Sequence, residues 1–236
     1  YLKDKANGYF VDLAANDWSR ISNSYVLEYY NNWKGICIEP NPIYLEGLLS
    51  NRKCKVFTCA VGVNDGEKVK FRFSQGAKGV FGGVVGEDFD NKGEQEGEDK
   101  EFTLVSLTTL LDFAGAPRVM DYLSLDVEGA EYQVVKGLDH SKYTFYIATV
   151  ERPRPNTHHA LARAGYRFMY QITAWGETLY LHRSIPNYTE LMQQYRQVSE
   201  PSWFGASAAY LQHPAWDQEH MEKHEHEHGN EHERGH

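Results

Sequence analysis

Carboxylates recur in this sequence where short apolar runs give way to polar turns. Asp12 lies inside "YFVDLAAND", Glu39 ends "GICIE", Asp126 and Glu128 follow "YLSL", and Glu151 closes "FYIATVE". His158 comes shortly afterwards in "RPRPNTHHA". A carboxylate at the tip of a strand can accept both hydroxyls of a diol, attract a cation, or take a proton from an alcohol. Asp126, Glu128, Glu151 and His158 are therefore the candidate catalytic groups. The same acids are of a type that ligates Mg²⁺, but no ligand spacing in the sequence supports a metal.

The elements needed to position these groups alternate along the chain. Strands are predicted at 9–14, 35–39, 55–61, 121–127 and 145–151, and helical patterns at 22–32, 41–50, 107–114, 129–137 and 156–164. Short apolar strands separated by helices imply an α/β fold with a mostly parallel sheet covered on both faces. Two further strands, 166–173 and 176–183, are joined by a turn at "AWGE" and read as an antiparallel pair closing that sheet. In such a sheet the ligand sits outside the carboxyl ends of the strands, where the strand order reverses. That is where Asp12, Glu39, Asp126 and Glu151 fall.

The first turn, "DLAAN", has none of the glycines that let a pyrophosphate approach bare backbone. Nicotinamide-dependent redox chemistry and a phosphate-cradling loop are both disfavoured on that ground. Asp12 and Asp17 instead make the turn acidic, which suits a ligand with a cationic end and a ribose diol. S-adenosylmethionine has both. Taken alone, Asp12 is equally a strand-end or helix-capping acid. Glu131, in the first turn of a predicted helix, is explained by the helix dipole.

At this point the motifs resemble a known family. "FVDLAAND", "SNSYVLE", "GICIEPNP", "LTTLLDF" and "YLSLDVEGAE" are together similar to FkbM-type S-adenosylmethionine-dependent methyltransferases, over roughly residues 8 to 183. The version here looks most like members from algae and other eukaryotic microbes. The resemblance implies a Rossmann-like class I methyltransferase fold, S-adenosylmethionine as donor, and a hydroxyl acceptor on a carbohydrate or similar small molecule. Carried over, Asp12 and the turn of Ala14 and Asn16 would face the methionine end of the cofactor. Ser22 would start the helix behind it, Glu39 with Pro40 would hold the ribose, and Asp126 would lie near the methyl group. Family members often carry "DLGANDG" where this chain has "DLAANDW". Ala14 and Trp18 thus replace glycines, which implies either a reshaped pocket or lost binding. A catalytically inactive binding or assembly module is the alternative reading.

Composition bounds the rest. Hydrophobic residues are 41% of the chain, enough for a core, and the net charge of −9 argues against nucleic acid or an anionic membrane surface as partner. No apolar stretch reaches the ~18 residues of a membrane helix. The cysteines, Cys37, Cys54 and Cys59, read as plain buried thiols, with a Cys54–Cys59 bridge or a reactive thiol as alternatives. "NYT" at Asn187 is an acceptor sequence for glycosylation only if the protein enters a secretory compartment. The chain opens on Tyr1, which reads as a truncated or processed terminus and leaves cytoplasm and secretory lumen both open. Residues 1–198 are expected to form the methyltransferase-like domain, with a flexible acidic, Gly-rich insert at 74–101. The ends of the longer stretch 68–105 read as strands and its middle as a mobile flap or disordered loop, a lid over the substrate being the further reading. Residues 199–236 form an extension whose end, with His220, His224, His228, His232 and His236, reads as a solvated tail or a weak metal chelator.

Overall fold

The structure is a computed structural model and describes residues 5–74, 82–85 and 97–197. Seven strands build the main sheet in the order β10-β11-β9-β8-β1-β2-β3. They are β1 (Tyr9–Leu13), β2 (Lys34–Ile38), β3 (Lys55–Phe57), β8 (Val119–Leu125), β9 (Thr144–Glu151), β10 (Tyr166–Gln171) and β11 (Glu177–His182). Strands β1, β2, β3, β8 and β9 run parallel, and β11 is antiparallel between β9 and β10. This is the expected Rossmann-like methyltransferase arrangement, including its antiparallel pair. Strand order reverses between β1 and β8, which makes their carboxyl ends the switch point.

Local sequence explains the helices that cover the sheet. In α2 (Pro42–Asn51), Pro42 takes the first position, where its missing N–H costs nothing, and the Asn41 side chain accepts from Ile43 N at 3.2 Å. In α3 (Leu107–Ala114), Ser106 caps the start by accepting from Thr109 N at 3.2 Å, and Gly115 ends it with φ 63. Leu107, Leu110, Leu111 and Ala114 recur at helical spacing and are buried against the sheet core. Helices α1 (Tyr25–Asn31), α4 (Glu131–Lys136) and α5 (Pro155–Arg163) are shorter than their sequence patterns suggested or shifted by a residue. The segments before α1 and α4 are turns that serve the site.

Two expectations are corrected. The run 55–61 is not one strand: it splits into β3 in the main sheet and β4 (Ala60–Gly62), which pairs with β7 (Gly97–Ser106) in a second sheet. That sheet, β4-β7-β5-β6, is completed by β5 (Lys68–Ser74) and β6 (Gly82–Val84), so residues 74, 82–84 and 97–101 of the 74–101 insert are strand. Phe71, Phe73, Leu104 and Val84 give it a small core of its own, and Arg72 pairs with Asp99 across β5 and β7. Residues 75–81 and 86–96, on which the flap reading depends, lie outside the described residues, as does the tail from 198 onward. The chain forms two compact units, the first ending at Ile185. The second unit begins at Pro186 and contains α6 (Tyr188–Gln197), a helix not anticipated from the sequence.

The cysteines were also misjudged. Cys37 on β2 and Cys54, just before β3, form a disulfide with their Cα atoms 6.2 Å apart. Cys59 is the thiol left over, and burial pushes it up to about 11, the opposite of an activated nucleophile. The bridge spans 17 positions, a loop length for which restricting the unfolded chain contributes about 3 kcal/mol. Cys54→Ser is expected to lower the unfolding free energy by about that amount in denaturant titrations. Reductant should lower the wild-type midpoint and leave the variant's unchanged; a wild-type midpoint insensitive to reductant would contradict the bridge.

Candidate functional site

Register sets the geometry of the switch point. Leu13 of β1 pairs with Ile38 of β2 on one side and Leu125 of β8 on the other. One residue further along each strand, Ala14, Glu39 and Asp126 leave the sheet together. They line a cleft of about 110 Å³, with Asp12, Asn16 and Glu128. An apolar lobe of about 40 Å³, walled by Pro40, Cys59, Val61 and Val127, meets this cleft at Ala14 and Phe71. The site is thus two-part: an acidic chamber beside an oily slot. Phe71 comes from the second sheet, and Val84, within the insert, also lines the apolar lobe.

The turn after β1 is shaped without glycine. Ala14 has φ 57 and Asn16 φ 53, both left-handed. Asparagine tolerates this region, whereas alanine pays about 1–2 kcal/mol for it. The turn is held by Glu39, whose carboxylate accepts Asn16 N at 2.8 Å and Asn41 N at 2.7 Å, one on each oxygen. Each oxygen keeps a lone pair for another donor. Burial pushes Glu39 up to about 7, opposed by those two N–H groups and reinforced by the nearby charge of Asp12.

Behind the turn lies a buried polar network. Asp12 accepts from Ser24 Oγ at 2.5 Å, and burial raises its pKa against the pull of Ser24 and Arg52. Arg52, buried, donates to Ser24 at 2.9 Å, to Ser22 at 3.0 Å and to Glu28 at 3.3 Å. Glu28 also accepts Lys53 N at 2.8 Å and Cys54 N at 3.0 Å. Ser22 accepts Tyr25 N at 3.1 Å and so starts α1, as expected of it, but it does not line the cleft.

On the β8 side, the turn Asp126–Gly129 bends through Glu128 at φ 53 and Gly129 at φ 95. Glu131 accepts Val127 N and Gly129 N at 3.2 and 3.0 Å, so its role is to cap this turn. Asp126, Glu128 and Glu151 offer oxygens all within 4.8 Å of one another, and Arg152 bridges Glu128 and Glu151 at 2.8 Å each. Asp126 is pushed up to about 9, first by burial, then by sharing a hydrogen bond with Glu151 and by the charges of Glu151, Glu128 and Glu131. Its other oxygen is buried and has no hydrogen-bond partner. Asp126 lines the chamber, and this unpartnered acceptor is an unmet demand within its wall.

The structure therefore brings together Asp12, Ala14, Asn16, Glu39, Asp126 and Glu128, with Pro40 in the adjoining lobe and Glu151 directly behind Asp126. It does not bring His158 there. His158 is buried on α5, packs on Phe168 and Tyr180, hydrogen-bonds the Tyr180 hydroxyl, and is lowered to about 4 by burial and His159. Trp18 does not plug the cleft either; its ring packs edge-on against Tyr25, 5.6 Å between centroids, and next to Gly47. Sequence reasoning missed Arg52, Glu28 and Glu177. Glu177 opens β11, and because that strand is antiparallel its start lies level with the parallel strands' ends, opposite Glu151. Its signal was present in "WGETLY": a carboxylate beginning an apolar strand after a turn.

The family model described as Methyltransferase FkbM domain matches residues 12–170, well over half of the chain. The protein belongs to the FkbM methyltransferase family. The match opens on Asp12 and ends in β10, so it takes in the cleft and both lobes. No curated protein matches the chain. As an FkbM domain, the chain is a methyltransferase.

Two outcomes test this geometry. Ala14→Gly should raise the unfolding free energy by about 1 kcal/mol, because glycine adopts the left-handed turn without the alanine penalty; an unchanged or lower value would mean that Ala14 is not held left-handed. The second is a pH dependence. An acid raised by folding keeps its proton where the unfolded chain has lost it, so stability falls as pH rises between the two values. For Glu39 the window runs from 4.5 to about 7, and for Asp126 from 3.8 to about 9. Denaturant midpoints of the ligand-free protein should decline through both windows, and Asp126→Asn should flatten the decline above pH 7. A variant with the wild-type slope there would detach that window from Asp126.

Proposed function

We propose that this FkbM protein is an S-adenosylmethionine-dependent O-methyltransferase acting on a hydroxyl of a carbohydrate or similar small polyol. The observation that carries the reading is the convergence of Glu39, with two spare lone pairs, and Asp126, with one orphaned oxygen, on either side of the Ala14 turn. A ribose diol matches the first and a cationic centre the second. The apolar lobe beside Pro40 and Val127 offers a flat aromatic base a place out of water. When bound, the donor would supply a methyl group on a sulfonium, open to in-line displacement. The protein's part is to align the acceptor and exclude water, an effect worth roughly 7–11 kcal/mol in well-oriented cases. Burial and the neighbouring carboxylates keep the proton on Asp126, and an acid of the same cluster would take the acceptor's hydroxyl proton. A divalent metal is not required for that step.

A second reading, a non-catalytic binding or assembly module with this fold, draws on one observation. The cleft's 110 Å³ is below the roughly 300 Å³ at which small-molecule sites begin. Binding of the donor therefore has to widen the chamber, with Ile21 and Tyr44 on its wall and Ile21 largely exposed.

Calorimetry separates the two. S-adenosylmethionine should bind, and Glu39→Ala should weaken it by about 10²-fold, the value of two hydrogen bonds to a charged acceptor. Affinity for the wild type should also fall as pH drops below about 7, where Glu39 takes up its proton. No heat at millimolar ligand, with the protein folded, favours the module.

A further inference from the structure

We infer that Asn187 is a glycosylation site, carrying an N-linked oligosaccharide added in the oxidising lumen of a secretory compartment. The site is the motif Asn187-Tyr188-Thr189, the one place in the chain where an asparagine is followed two residues later by Ser or Thr with no intervening proline. The motif alone says little, since such triplets also occur in proteins that never meet the transferase. Two structural observations, independent of each other, give it weight.

The first is where the asparagine stands. Asn187 is exposed, follows Pro186, and has φ 60, so the backbone turns sharply at this residue just before α6. Its carbonyl accepts Leu191 N at 3.0 Å, which ties its backbone to the helix start. An asparagine at an exposed turn is the arrangement that admits a bulky, solvated oligosaccharide without displacing packed atoms.

The second is the Cys37–Cys54 bridge, which belongs to the other unit of the chain and owes nothing to the sequence motif. Cys37 is wholly buried and Cys54 nearly so. A bridge between core residues must form as the chain folds, and reducing compartments keep such thiols apart. An oxidising lumen is also where asparagine-linked oligosaccharides are attached. A chain that folds there meets the glycosylation machinery with its acceptor triplet in the open.

The test uses the full-length protein isolated from its native source. It is digested without reductant, and the peptide spanning residues 184–196 is read by mass spectrometry before and after peptide-N-glycosidase in heavy-oxygen water. The expected result is a glycosylated peptide in which the enzyme converts Asn187 to aspartate with uptake of one heavy oxygen, together with a Cys37–Cys54 linked pair. Finding only the unmodified peptide, or both cysteines alkylated without reduction, overturns the inference. A second measurement covers loss of native material. Expressed through a secretory host, the wild type and Thr189→Ser should each run one glycan heavier and collapse on enzyme treatment, while Thr189→Ala should not. A wild type of unmodified mass from that host also overturns it.

Discussion

The site rests on a single buried guanidinium. Arg52 sits on the segment between α2 and β3, yet its side chain reaches back under the first turn to Ser22, Ser24 and Glu28, and its charge acts on Asp12. Without that charge, two buried carboxylates would face each other across the start of α1 with only hydroxyls between them. Removing one partner of a buried pair typically costs about 3–5 kcal/mol, because the remaining charge is left in a poor dielectric. The Arg52 segment is itself held twice over, by Glu28 accepting Lys53 N and Cys54 N, and by the covalent tie from Cys54 to Cys37. Cys37 lies two residues before Glu39 on the same strand. One chain of contacts therefore runs from the helix behind the cleft, through arginine and disulfide, to the carboxylate at its mouth.

That arrangement separates two kinds of acid. Glu28 is paired with Arg52 and serves the scaffold, and Asp12, although burial raises it too, has Arg52, Ser22 and Ser24 opposing that burial. Glu39 and Asp126 have no cation of comparable burial facing them among the groups that set their titration, and both are pushed up by burial and by neighbouring negative charge. Their environment favours the protonated form until something positive, or a strong donor, enters the chamber. The electrostatic demand made by the second pair has no counterpart to Arg52 among the groups that set their titration.

Much of this was legible from residue order alone. The strands that carry Asp12, Glu39, Asp126 and Glu151 are short, apolar and bounded by turn residues, so their ends could be placed, and the parallel α/β rule then located the cleft. What escaped were interactions that depend on three-dimensional return of the chain. Nothing in "SNRKC" distinguishes a solvated arginine from one buried under a turn far away in sequence. Pairing Cys37 with Cys54 required knowing that β2 and β3 are neighbours, whereas closeness in sequence pointed to Cys59. The apolar run 55–61 hid a change of sheet, since both halves are hydrophobic and periodicity carries no record of which partner each strand chooses. His158 follows strand β9 closely in sequence and so read as a candidate at its end, but α5 carries it into the core against Tyr180.

The substitutions that set this chain apart from the usual family turn act in one direction. The indole at position 18 stays outside the chamber, packed on Tyr25. The methyl at position 14 does not: it stands where the acidic chamber meets the apolar lobe, on a backbone already bent into a conformation that alanine resists. A left-handed alanine is retained only where surrounding contacts over-determine the turn, and here the Glu39 carboxylate supplies them through Asn16 N. The turn has therefore kept the backbone path that glycine would allow while narrowing the junction by one methyl group.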